Sequence, residues 1–121
     1  MLDLINEVEK MVNYSFPEDY KNYILNLSSL KLERNLFKSS NGVEKVLRCL
    51  LSYDEDSKNN IMKFQTIDSE LNGSIVPFGL LEFGDLLCFD KENNTVVMYD
   101  HELDKINMLA NDFTGFLDML Y

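Results

Sequence analysis

Residues 75–90 read IVPFGLLEFGDLLCFD, and this stretch decides the fold. Two short apolar runs flank a central Glu-Phe-Gly-Asp segment, and Pro77 and Gly79 interrupt the first run. Short apolar runs bounded by glycine or proline predict buried strands that are joined by a turn. Within that turn we expect Gly84 to supply a tight or left-handed backbone position and Asp85 to bond to neighbouring backbone. The stretch therefore predicts two strands of a meander.

The meander continues toward the C-terminus. Residues 91–94 (KENN) have the composition of a hairpin connection, and residues 95–99 supply the returning strand. Residues 106–109 predict the last strand, and Asn111 or Asp112 caps a final helix. The expected buried face of that helix is Phe113, Phe116, Leu117 and Leu120.

Two helices are predicted before the meander. Apolar residues follow one helical face over residues 2–12. A second helix is expected to begin near Ser15, because Ser15 and Glu18 have the spacing of a capping box. Two further strands, at about residues 30–37 and 43–51, are joined by a Ser-Ser-Asn-Gly turn.

These elements predict an α+β fold in a single domain, residues 1–121. Two N-terminal helices and one C-terminal helix pack on a twisted, mainly antiparallel sheet of about five or six strands. Residues 61–67 are compatible with either a short helix or a strand. The side chains expected to be largely buried are Phe16, Tyr20, Ile24, Val46, Leu50, Phe78, Leu87, Phe89, Val97, Phe113, Phe116 and Leu117.

The net charge of −10 is distributed unevenly along the chain. Residues 61–121 carry eleven acids against three bases, whereas residues 1–60 carry ten acids against eight bases. A negative field repels nucleic acid and anionic lipid, and it attracts a basic protein and speeds the encounter with it. We therefore expect a basic protein partner and neither a nucleic acid nor a membrane. An acidic surface that only maintains solubility is the alternative.

Composition also predicts the cellular location of the protein. No apolar run reaches the roughly 18 residues of a membrane span. The N-terminal residues MLDLINE carry acids where a signal peptide would carry a basic segment, so a cytoplasmic location is expected. Cys49 and Cys88 lie in apolar, strand-like surroundings, and we expect both to be free, buried thiols.

The sequence contains little evidence for an enzyme. His101 is the only histidine, and we expect it to be a loop residue that makes a hydrogen bond rather than a catalytic base. The acidic segment after Asp54 fails as a calcium loop, since its sixth position is Asn59 and its twelfth is Gln65. The expectation is a protein with no catalytic residue, no cofactor and no metal site.

The order of these motifs resembles the SUKH superfamily, which contains bacterial immunity proteins and certain fungal cell-wall regulators. The segments that carry the resemblance are Phe16–Ile24 (FPEDYKNYI), Val76–Gly79 (VPFG), Gly84–Asp90 (GDLLCFD), Val96–Glu102 (VVMYDHE) and the closing helix Ala110–Leu117 (ANDFTGFL). The resemblance covers nearly the whole chain, from about residue 15 to the end.

The resemblance implies an immunity protein that binds and neutralises a cognate polymorphic toxin. Many such toxins are nucleases with basic active sites, so an acidic protein can dock over the groove or bind beside it. Two alternatives stay open, a non-catalytic regulatory scaffold or adaptor and a small-molecule-binding module. The expected state is a monomer or a weak homodimer.

The acidic second half supplies the predicted partner-binding residues. They are Asp68, Glu70, Glu82, Asp85, Tyr99, Asp100, Glu102 and Asp104. Aromatic residues often carry much of the binding energy at interfaces, and Tyr99 and Tyr121 are the candidate anchors.

Overall fold

The computed structural model describes residues 2–39, 41–54, 56–62 and 73–121. Within these ranges the chain forms three α-helices and a six-stranded sheet, which confirms the α+β prediction. The helices are α1 (Leu2–Val12), α2 (Glu18–Leu25) and α3 (Phe113–Met119). The strands are β1 (Leu36–Lys38), β2 (Glu44–Leu50), β3 (Ile75–Leu81), β4 (Leu86–Asp90), β5 (Val96–Asp100) and β6 (Lys105–Ala110). A 3-10 turn, Glu82–Gly84, joins β3 to β4.

The strands lie in the sheet in chain order, and every neighbouring pair is antiparallel. The register of β3 against β4 shifts between Pro77 and Gly79, where proline has no N–H to donate to the ladder. A Cβ added at Gly79 would lie 3.1 Å from Leu87 on β4 and 3.3 Å from Leu47 on β2. Gly79 thus lets side chains from both neighbouring strands close over β3, and the sheet curls.

Aromatic side chains fill the centre of the core. Phe78 and Phe89 stack with their ring centroids 4.3 Å apart, which joins β3 to β4. Tyr20 from α2 meets the edge of both rings, and it also contacts Phe113 from α3. Offset and edge-to-face ring pairs add stability beyond the burial of their area. The helices α2 and α3 are therefore fixed to the sheet by one continuous aromatic cluster.

Most of the predicted core is buried, with two exceptions. Val46 and Leu117 are only half-buried. Val46 pairs with Leu36 on the short first strand, so it lies near the rim of the sheet. Leu117 packs against the core and also lines a surface depression beside α2, which leaves it partly open to solvent. The prediction for the thiols is confirmed, because Cys49 and Cys88 are free and buried.

Two local predictions are wrong. Pro17 is the N-cap of α2, no side chain caps that helix, and Ser15 lies too far before its first turn to do so. The backbone N–H of Phe16 instead donates to the Glu9 carboxylate at 2.7 Å, which ties α1 to the start of α2. The first strand is also shorter than predicted, since it occupies only Leu36–Lys38. At α3 the cap is Asp112, whose carboxylate accepts from the N–H of Gly115 at 2.7 Å.

The meander places its connections at two opposite ends of the sheet. At one end lie the loop after β2 and the turn from β4 to β5, where the Lys91 ammonium donates to the carbonyl of Val12 at 2.6 Å and holds α1 in place. At the other end lie the 3-10 turn and the turn from β5 to β6, because Leu86 pairs with Tyr99. These two ends carry different surfaces.

Candidate functional site

The 3-10 turn has an unusual backbone. Phe83 has φ 67° and Gly84 has φ 92°, so two successive residues lie in the left-handed region. A positive φ suits glycine but is strained for a bulky side chain. The side chain of Phe83 is nevertheless 88% exposed, so no packing of its ring compensates for the strain.

His101, in the turn from β5 to β6, holds this backbone. Its Nε2 lies 2.5 Å from the carbonyl oxygen of Phe83. Since a carbonyl oxygen only accepts, the Nε2 carries the hydrogen and donates it. A Cβ on Gly84 would lie 2.9 Å from the same nitrogen, so only glycine leaves room for the ring. This geometry confirms the prediction that His101 is a loop histidine that makes a hydrogen bond.

Asp85 connects three elements at this end of the sheet. Its Oδ1 accepts from the backbone N–H of His101 at 3.3 Å and lies 3.6 Å from the Nε2 of the same residue. Its Oδ2 lies 4.0 Å from the ammonium of Lys45 on β2. Asp85 is buried and its carboxylate has internal partners, which confirms the prediction of a turn-bonding side chain. Its assignment as a partner-binding residue stays a prediction.

The turn from β5 to β6 is shaped by its own acids. The Asp100 carboxylate accepts from the backbone N–H of Glu102 at 3.0 Å and of Leu103 at 3.1 Å. Asp104 has φ 51° and accepts from the Tyr99 hydroxyl at 2.8 Å. Tyr99 is itself buried, and its hydroxyl supports the turn from below. Its role as a partner anchor stays a prediction. Asp100 and Asp104 therefore fix the loop that presents the residues between them.

Two apolar side chains and three acidic side chains are exposed where the 3-10 turn meets the turn from β5 to β6. Leu103 is 64% exposed and Phe83 is 88% exposed. Glu82, Glu102 and Asp104 are exposed beside them in the chain. We call the surface formed by Glu82, Phe83, Glu102, Leu103 and Asp104 the acidic corner.

Sequence reasoning missed Phe83. Its position in the central Glu-Phe-Gly-Asp segment predicts a turn but does not show whether the ring is buried or exposed. The left-handed backbone at Phe83 follows the fully buried strand β3 and turns the ring to solvent. The available signal is an aromatic residue immediately before the Gly-Asp pair, inside a turn.

Other predicted residues lie elsewhere. Asp68 and Glu70 lie outside the described residues. The predicted anchor Tyr121 is half exposed, and its hydroxyl donates to the Glu44 carboxylate at 2.7 Å. Its backbone pairs with Leu36 on the edge of β1, so the residue also closes the sheet at that edge.

Within the described ranges, no group of three or more His, Cys, Asp or Glu side chains could hold a metal ion. None of the helices in those ranges is both long enough and apolar enough to cross a membrane.

A comparison with known protein families finds a match. The family model described as SUKH_6, SMI1-KNR4 cell-wall, matches residues 2–117. The chain belongs to this SUKH family. No match to it is found among curated proteins or among solved structures.

SUKH membership agrees with the sequence motifs, and the structure gives those motifs a physical meaning. The Gly-Asp pair at Gly84 and the His-Glu pair at His101 lie far apart in the chain, yet they build one end of the sheet together. Gly84 admits the imidazole ring, and Asp85 holds the backbone of His101. In this SUKH chain Gly84, Asp85 and His101 thus support the acidic corner, while Glu102 and the exposed residues next to the two motifs form its surface.

Proposed function

We propose that this SUKH chain is a cytosolic immunity protein, without catalytic activity, that binds and neutralises a basic toxin protein through the acidic corner. The observation that carries the proposal is Phe83, an aromatic side chain that is 88% exposed on a backbone with φ 67°. Strained backbone of this kind persists only where the surrounding structure determines it, and it concentrates at functional sites.

The corner has the composition of a binding hot spot. Aromatic side chains at the centre of an interface carry much of its energy, and charged residues around them set the rate and specificity of the encounter. Phe83 and Leu103 supply apolar tips, and Glu82, Glu102 and Asp104 supply the charge. The hydrogen bonds of His101 and Asp85 hold both turns before any partner arrives, which lowers the entropy lost on binding.

A basic partner follows from charge. The corner belongs to the half of the chain that carries eleven acids against three bases. Carboxylates can replace phosphates as partners of toxin arginine and lysine, and this complementarity favours a nuclease as the target. Docking over the toxin active site and docking beside it both agree with this surface.

A regulatory scaffold is the second candidate, because the matching family is described by its cell-wall members. Such a scaffold would also use an exposed protein-binding surface. The two candidates differ in the partner, so the test uses the toxin domain encoded beside the gene of this chain, in a catalytically inactive form.

The decisive variant is Phe83→Asn. Asparagine tolerates positive φ better than phenylalanine, so folding stability should be unchanged or rise by up to about 1 kcal/mol. Loss of the aromatic tip should raise the Kd for the toxin domain about tenfold or more in calorimetric titration.

The matched control is Leu25→Asn, which removes an exposed apolar side chain from the end of α2. It should change the Kd by less than about twofold. An unchanged Kd for Phe83→Asn, or equal loss in the two variants, would refute the role of the corner. Absence of any toxin gene beside this one would count against the immunity function and favour the scaffold.

A further inference from the structure

A second surface lies at the opposite end of the sheet from the acidic corner. It is a groove of about 670 Å³ between α1 and the described residues, between 52 and 62, of the loop that follows β2. Val8 and Ile61 are buried and form part of its floor. Leu4 and Met11, also on its wall, are 39% and 62% exposed.

A second apolar stripe on α1 lines the groove. Ile5, Val8 and Val12 are the buried residues of this helix, which account for its attachment to the core. Leu4, Val8 and Met11 have i, i+4, i+7 spacing, so they share a neighbouring face. Met62 continues the apolar lining from the other wall and is 36% exposed. Methionine side chains adapt their shape to a range of apolar partners.

Among the described residues, the charged side chains on the groove have one sign. Glu7, Asp54 and Asp56 line it, and no lysine, arginine or histidine is among the described residues that do. All three acids are exposed. An apolar floor with an acidic rim is complementary to a segment with an apolar stripe and lysine or arginine on either side.

The wall formed by α1 restricts which secondary structure a bound partner segment can have. The N–H and C=O groups inside a helix are paired with one another, so this wall offers no ladder to an added strand. A partner whose backbone hydrogen bonds are internal fits best, and an amphipathic helix meets that condition. The eleven residues of α1 give a wall of about 16 Å, or three helical turns.

From this geometry we infer that the α1 groove binds a basic amphipathic helix of a partner protein. The site is separate from the acidic corner, since the two lie at opposite ends of the meander.

The test uses a fluorescein-labelled helical peptide of about 18 residues, built from leucine and lysine with leucine at i, i+3, i+4 and i+7. A peptide of the same composition with its leucines spread around the helix serves as control. Fluorescence anisotropy measures the Kd of both. The amphipathic peptide should bind about tenfold more tightly, because only it can bury a leucine stripe in the groove.

Two matched pairs of variants locate the binding. Met11→Gln should weaken the amphipathic peptide about tenfold, whereas Met108→Gln, at a methionine on β6 that is 51% exposed, should change the Kd less than about twofold. The double variant Glu7→Gln/Asp56→Asn should reduce the salt dependence of binding, and the control Glu33→Gln/Asp118→Asn, which leaves the groove unchanged, should have little effect on it. Variants of the acidic corner should not alter peptide binding, so failure of one site is distinguishable from failure of the other.

Methyl resonances of ¹³C-methionine give an independent readout. The peptide should shift Met11 and Met62 and leave Met98 and Met108 in place. Equal affinity for the two peptides, equal loss in Met11→Gln and Met108→Gln, or shifts centred on Met108 would overturn the inference.

Discussion

Replacing Gly84 by alanine tests how the acidic corner is held together. The new methyl group would lie 2.9 Å from Nε2 of His101 and 3.2 Å from its Cδ2, and the backbone φ is +92°. The left-handed backbone costs alanine about 1–2 kcal/mol. Displacement of the imidazole also breaks its hydrogen bond to the Phe83 carbonyl, which adds about 1 kcal/mol. The free energy of unfolding should therefore fall by about 2–3 kcal/mol.

Gly42→Ala is the matched control. Gly42 has φ +78°, and beyond its chain neighbours a Cβ there would meet no described atom within 4 Å. This variant carries the backbone strain without the clash, so it should cost about 1–2 kcal/mol. Since 1 kcal/mol shifts the Tm of a domain this size by about 4 °C, Gly84→Ala should melt about 4 °C below Gly42→Ala in calorimetry.

A double-mutant cycle isolates the contact with the ring. His101→Ala alone should cost about 1 kcal/mol for the lost hydrogen bond. In the double variant Gly84→Ala/His101→Ala the clash is absent, so its total cost should be smaller than the sum of the single costs by about 1 kcal/mol. Additive costs, or equal melting of Gly84→Ala and Gly42→Ala, would refute the packing of His101 over Gly84.

Three further predictions concern the core. Tyr20 and Tyr53 join their hydroxyl groups at 2.8 Å in the interior, so Tyr53→Phe should cost about 1–2 kcal/mol in urea unfolding, and Tyr20→Phe/Tyr53→Phe should cost less than the sum of the single changes. Burial raises the pKa of the Cys49 thiol, so a thiol reagent should react slowly with Cys49 in the native protein and with Cys88, which is 0% exposed, only after denaturation. Burial also raises the pKa of Tyr20 and of Tyr53 above the usual value near 10, so above about pH 10 the folded state holds more protons than the unfolded state. The free energy of unfolding should therefore fall as the pH rises further. Tyrosine ionisation and the loss of near-UV circular dichroism should occur together in a pH titration.

The periodic parts of the chain could be predicted from sequence. One helical face over Leu2–Val12 and the alternating or continuous apolar runs of the second half follow directly from burial, which acts on every residue of an element. The predicted cap at Ser15 is wrong because the position of a cap depends on the residue at which the first helical turn begins. That position is set here by Pro17 and by the bond from Phe16 to Glu9.

The candidate site was harder to predict for a related reason. Charge can be counted from sequence, so Glu102 and Asp104 could be predicted as partner-binding residues, and they stay predictions. The direction of a side chain depends on local hydrogen bonds, and these turn Asp85 inward toward His101. The exposure of Phe83 depends on a left-handed backbone that a residue far along the chain stabilises. Sequence alone does not show that contact.

The association rate with the toxin domain tests the central claim most directly. Asp100→Asn, Glu102→Gln and Asp104→Asn together remove three charges, and the amide oxygens can still accept the bonds from Leu103 and Tyr99 that shape the turn. We expect the association rate constant at low salt to fall about tenfold and its salt dependence to weaken. The control variant Glu33→Gln/Glu92→Gln/Asp118→Asn, with the same change in net charge, should show much smaller effects. An unchanged rate constant and salt dependence in the first variant would contradict binding through the acidic corner.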